Sequence, residues 1–303
     1  MTAQDLFGPA DRALAKALST PFRWPQSGLE PLPWFPFTVA ASRGQVKFAA
    51  RIAQRTERAY WYLRKLFDFT PRFRLLVLDR ADWPRHAEVA TYGMSHFTAA
   101  GNLVVGCETA DAWHDISREI ARRLPAETVA ALIKVHGTDP VHPHAPDLSG
   151  VAERLVAHEL ARITADEAGA HFPRHWMKHA FANYALVAVL GETDPAGLHR
   201  LGTLAEATRE LETQRPHVVK FGAQLTPFEA VLVQLALTRA AYTAYAEKED
   251  APLARWFSVA CRHKTAPIAP DADRELGRML AREVHPAIGA LAASMHDDIA
   301  QAA

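Results

Sequence analysis

The sequence predicts an α+β fold, a small sheet in the first half followed by a predominantly helical second half. Two short apolar runs carry the sheet. Residues 73–78 (FRLLVL) lie between Pro71 and Asp79, and residues 103–105 sit inside the glycine-bounded run 101–106 (GNLVVG). The helical half rests on apolar positions that recur every three or four residues from 151 onward, almost without interruption. Strands segregated from helices in this way argue α+β rather than a regular βα alternation.

In chain order, residues 20–37 (TPFRWPQSGLEPLPWFPF) contain too many prolines for a helix. Their aromatic content predicts a strap over the body, anchored by Trp24, Trp34, Phe35 and Phe37. A long helix is expected over 45–67, where apolar positions alternate with Arg and Gln at helical spacing. Helices over 111–124 and 126–136 follow the two strands. A breaker-rich loop, 137–150, then leads to Ser149, a candidate helix cap. The second half reads as helices over 151–168, 173–190, 195–214, 226–246, 251–262 and 271–298. Three parts result: an N-terminal segment and strap (1–44), an α+β unit (45–190) and a helical lobe packed on it (191–303).

Composition narrows the function classes. Of 303 residues, 49% are apolar and 22% charged, which is ordinary for a globular protein, and Lys+Arg and Asp+Glu each number 34. That balance gives no global field for nucleic acid or an anionic membrane, so neither is expected as a partner. No run approaches the length of a membrane span, and the first twenty residues lack a signal peptide's apolar core. Two cysteines, Cys107 and Cys261, are too few for a disulfide framework, and a cytoplasmic location is the expectation. Nucleotide-binding glycine motifs and the serine-hydrolase elbow are absent.

The residues with most chemistry lie at 157–163 (AHELARI) and 172–184 (FPRHWMKHAFANY). Side chains four apart on a helix share a face, which is how H-E-x-x-H presents two imidazoles to one zinc with the glutamate beside the metal-bound water. His158 and Glu159 fill the first two positions, and Arg162 stands where the second His belongs. The later run resembles the second active-site helix of gluzincin zinc metallopeptidases, W-L-x-E-G-x-A-x-Y. Trp176, Met177, Ala182 and Tyr184 fit that frame, and His179 falls where the family's ligand Glu stands.

The resemblance covers roughly 73–190 and implies a gluzincin-type catalytic domain. It also implies an edge strand pairing with extended substrate, which places Gly101, Asn102, Leu103, Val104 and Val105 against a peptide. The departures alter the expected chemistry. Arginine has no lone pair to give, so Arg162 cannot ligate zinc, whereas imidazole at His179 can. Three readings of the site follow.

In the first, a pseudopeptidase binds no cofactor; Arg162 fills the metal's place, paired with Glu159 or Asp166, and a cleft for a peptide or small ligand survives. In the second, zinc is kept by His158, His179 and a recruited ligand such as His142, His144, His171 or His175, making an active hydrolase. In the third, His158, Glu159 and His179 work as a metal-free acid–base cluster with Arg162 as a carboxylate or oxyanion clamp. The first is the principal expectation. Tyr242 and Tyr245 are candidates for a transition-state hydroxyl, with a core aromatic stripe as the plainer reading.

Overall fold

The computed structural model describes residues 28–214, 225–262 and 273–291. Five strands form one mixed sheet in the order β1-β2-β3-β5-β4: β1 (Glu30–Leu32), β2 (Thr38–Ala41), β3 (Arg74–Leu78), β4 (His96–Phe97) and β5 (Asn102–Gly106). The three central strands are parallel, and the outer strands, β1 and β4, run antiparallel to their neighbours. Helix α1 (Val46–Phe67) makes the crossover between β2 and β3, as a parallel pair requires.

Burial on both faces explains why the central strands read as unbroken apolar runs. Val39, Leu75, Val77, Leu103 and Val105 point to the main core. Ala40, Leu76, Leu78 and Val104 alternate with them and close a second, smaller core with Leu29 and Trp83. The main core continues from Leu32 to Leu291 through the helical half. There lie α2 (Asp111–Arg123), α3 (Ala126–His136), α4 (Leu155–Glu167), α5 (His175–Thr193), α6 (Pro195–Ala207), α7 (Pro227–Lys248), α8 (Ala251–Arg262) and α9 (Asp273–Glu283). Helix α4 packs beside β5 and β4 and against α5, and α5 is also covered by α7. Phe181 of α5 sits among the rings of Phe67, Phe172, Trp256 and Phe257, tying α1, α5 and α8 together.

The mixed fold expected from the sequence is present, with several local differences. Strands β1, β2 and β4 were not expected, because four residues or fewer cannot show a period of two. The strap contributes β1, and of its aromatic anchors Phe35 and Phe37 are buried. Trp34 is not an anchor: it is 86% exposed and holds a left-handed backbone, φ 83°. Trp24 lies outside the described residues. Ser149 does not cap; it begins a single turn, Ser149–Ala152, and Asp147 Oδ1 accepts its amide at 2.9 Å. Helix α6 passes at Thr208 into a 3₁₀ segment, Thr208–Gln214. The expected helix over 271–298 is interrupted after α9, since Pro286 lacks the donor needed to continue it. No helix among the described residues is long and apolar enough to cross a membrane.

Candidate functional site

Helices α4 and α5 bring His158, Glu159, Arg162, His175 and His179 into one cluster. Residues 158, 159 and 162 share a face of α4, and 175, 179 and 183 follow one another at i+4 along α5. His158, Glu159 and His179 are 4%, 6% and 8% exposed, whereas His175 is exposed and the Arg162 side chain is 25% exposed. Arg162 and His175 therefore form the rim.

Glu159 is the electrostatic centre. Its Oε1 accepts from His158 Nδ1 at 2.9 Å, and Arg162 Nη1 donates to Oε1 at 3.2 Å and to Oε2 at 2.9 Å. Burial alone would raise this carboxyl. The His158 hydrogen bond and the Arg162 charge outweigh burial and hold it below its ordinary value of 4.5. Asp166, the other partner considered for Arg162, instead pairs with Lys178 at 2.5 Å. A carboxylate can only accept, so His158 carries its proton on Nδ1. Its Nε2 is enclosed with no hydrogen-bond partner among the described residues. The same holds for Arg162 Nε.

The His179 imidazole is fixed by a chain of amides. Asn183 Nδ2 donates to the His179 carbonyl at 2.8 Å and also to Gln234 Oε1, while Thr238 Oγ1 donates to Asn183 Oδ1 at 2.9 Å. A carbonyl cannot donate, so the orientation of Asn183 is set, and with it that of Gln234. Gln234 Nε2 then donates to His179 Nδ1 at 3.0 Å. An accepting Nδ1 assigns the proton to Nε2, which donates to His175 Nε2 at 3.2 Å. Burial first, then the positive charges nearby, Arg162 and Lys178 among them, hold His179 well below the ordinary imidazole range, in keeping with this neutral tautomer. The His158 and His179 rings stack at 5.5 Å.

The donor set does not suit a catalytic zinc. Arg162 has no lone pair to give a metal, and His179 Nε2 bears a hydrogen-bonded proton. Among the described residues no three His, Cys, Asp or Glu side chains are arranged to hold a metal ion. Of the candidate recruited ligands, His175 reaches the cluster, through its contact with the His179 ring. Tyr245 lies against Gly191 and Tyr242 against Gly202, and Tyr242 is exposed rather than part of a core stripe.

The expected substrate strand is displaced by one position in the sheet. Asn102, Leu103, Val104 and Val105 pair with β3 on one side, and Leu103 and Val104 with β4 on the other, while Gly101 turns into the strand at φ 81°. Where it is paired on both sides, at Leu103 and Val104, the strand has no ladder to offer a peptide. The free edge is β4, two residues long, whose His96 Nε2 also accepts the amides of Glu88 and Val89.

Sequence reasoning missed Asn183, Gln234 and Thr238. The available signal was polar residues at i+4 spacing inside apolar helices, 179/183 on α5 and 234/238 on α7. Polar groups placed so regularly in a core face need one another as partners. No protein-family model matches this chain, and neither a curated protein nor a solved structure matches it.

Proposed function

We propose that this is a metallopeptidase-derived protein that has exchanged its zinc site for a closed, metal-free polar cluster and acts without hydrolysis, as a binding protein for a small ligand. The observation that carries this reading is the Arg162 guanidinium lying across both oxygens of Glu159, where a gluzincin has an imidazole and a metal. The proton assigned to His179 Nε2 supports it, since a second inherited ligand position is then also occupied. The two-residue β4 edge favours a small ligand over an extended peptide, which needs a longer ladder to add a strand. The gluzincin ancestry rests on the motif frame and on the two-helix site lying beside a mixed sheet with an antiparallel edge.

The test is metal analysis of untagged protein, with Arg162→His/His179→Glu as the restoring variant. The proposal expects substoichiometric zinc in the native chain. It expects stoichiometric zinc, with peptide cleavage, in the restored variant. Stoichiometric zinc in the native chain that is lost in His158→Ala/His179→Ala would sink it.

One observation favours a second, metal-free catalytic reading. His158 Nε2 and Arg162 Nε, one helical turn apart, are both enclosed and unpartnered among the described residues, and with the imidazole neutral the first would offer a lone pair beside the N–H of the second. A water or substrate hydroxyl that donated to the first and accepted from the second would satisfy both, with His158 as general base. Hydrolysis of an activated ester that His158→Gln abolishes, with no dependence on added zinc or chelator, would select this reading over the first.

A further inference from the structure

A cavity of about 420 Å³ opens at the amino-terminal ends of β2, β3 and β5, and none of its lining residues belongs to the His158 cluster. Its volume falls in the range of small-molecule sites. Phe37, Phe73 and Tyr60 form its floor, with Phe37 and Phe73 stacked at 4.7 Å and Tyr60 edge-on to Phe37 at 5.7 Å. Arg72 and Arg74 stand among the lining residues, and among the described residues no acidic side chain does.

Two features distinguish this cavity from a packing defect. Tyr60 is 1% exposed, yet its hydroxyl makes no hydrogen bond among the described residues, and it is not one of the fully enclosed unpartnered atoms. The remaining accessible area of the ring thus includes the hydroxyl, at the cavity wall. A buried phenol without a partner is costly, so a ligand acceptor there gains what the chain leaves unmade. Burial raises Tyr60 from its ordinary value, against the lowering charge of Arg64, so the hydroxyl remains a donor. The second feature is Arg72. Its backbone amide is held by Glu167 Oε2 at 2.6 Å, while its guanidinium has no hydrogen-bond or ion-pair partner among the described residues. Arg74 is fixed by its bond to the Ala100 carbonyl.

We infer that this cavity is a binding site for a small aromatic monocarboxylate, its ring on the Phe37–Phe73–Tyr60 floor and its carboxylate taken by the Arg72 guanidinium and the Tyr60 hydroxyl. Aromatic stacking selects the body, charge-assisted hydrogen bonds select the head, and the two arginines disfavour cations. The inference goes beyond the function proposed above, and the state of the His158 cluster does not enter it.

The experiment is calorimetric titration of the full chain with 3-phenylpropanoate, with 3-phenylpropan-1-ol and 3-phenylpropylamine as the neutral and cationic versions of the same body. Inorganic phosphate serves as a head without a body. Binding of the acid is expected, with the alcohol at least about ten-fold weaker and the amine and phosphate silent. Arg72→Ala, an exposed position, should weaken the acid by about ten-fold or more. Tyr60→Phe, which keeps the ring and the fold, should weaken it by about three- to ten-fold. Arg122→Ala, on a distant surface, should leave it unchanged. No binding of the acid, equal binding of the alcohol, equal binding of phosphate, or an unchanged affinity in both site variants would each overturn the inference. Zinc content plays no part in these readouts, so failure here is separable from failure of the metal-free reading.

Discussion

Replacing Arg162 by methionine strips the guanidinium from a carboxylate that has few other partners. In the native cluster Glu159 Oε1 keeps its bond from His158, but Oε2 has only Arg162. Removing one member of a buried ion pair costs about 3–5 kcal/mol when the survivor is sealed from water. The Arg162 side chain is 25% exposed, so water reaches the vacated position, and we expect about 2–3 kcal/mol. The companion variant Glu159→Gln/Arg162→Met removes both charges and should recover most of that loss, giving a coupling energy of about 2 kcal/mol. Urea unfolding at pH 7.5 and again near pH 5 is the assay.

The sign of the pH effect follows from linkage. The Glu159 carboxyl lies below its ordinary 4.5 in the folded protein, so its contribution is complete above 4.5 and is lost as pH falls through the folded value. Without Arg162 the folded value rises, the carboxyl protonates earlier, and the defect of Arg162→Met shrinks as the pH falls. A defect below about 0.5 kcal/mol at pH 7.5, or strictly additive single variants, would refute the pairing as the organising contact of the cluster.

Further outcomes follow from features elsewhere. His136, pushed down to about 4 by burial and then by the Arg200 charge, and His179, held lower still, both take up protons on unfolding below pH 6.5. Stability they contribute is full above pH 6.5 and falls by about 1.4 kcal/mol per pH unit for each of them below it. The urea midpoint should therefore drop between pH 7 and 5, and the drop should flatten in His136→Asn/His179→Gln. Trp34→Gly should stabilise the chain by about 1 kcal/mol in thermal or urea unfolding, since φ 83° strains a residue whose side chain is 86% exposed. Phe181→Ala should cost about 3–5 kcal/mol, because its ring is fully buried among four other aromatics.

How much of this was legible in the sequence depends on the length of each element and the reach of each contact. Helix α1 and strand β3 carry their signal in their own residues, so their limits were visible to within a residue or so. Strands β2 and β4 exist because β3 and β5 offer them a ladder, and no local pattern records a partner elsewhere in the chain. At the site, i+3 geometry made the Glu159–Arg162 pair readable. The protonation of His179 was not readable, because it depends on Gln234, fifty-five residues away in sequence. The place of residues 101–105 in the sheet was hidden for a related reason: edge or interior is a property of the sheet's order, and these residues look the same in either place.

The sheet's two margins bear on the behaviour of the protein at high concentration. Sheets that end in long, flat strands recruit copies of themselves, and chains that must stay apart interrupt those margins. Here one margin is three residues with Pro31 at its centre, which removes a donor from any added ladder. The other is two residues whose neighbouring amides are already taken by the His96 ring. Among the described residues neither margin gives an incoming strand enough register to grow on, and in a concentrated solution the sheet should resist fibre formation.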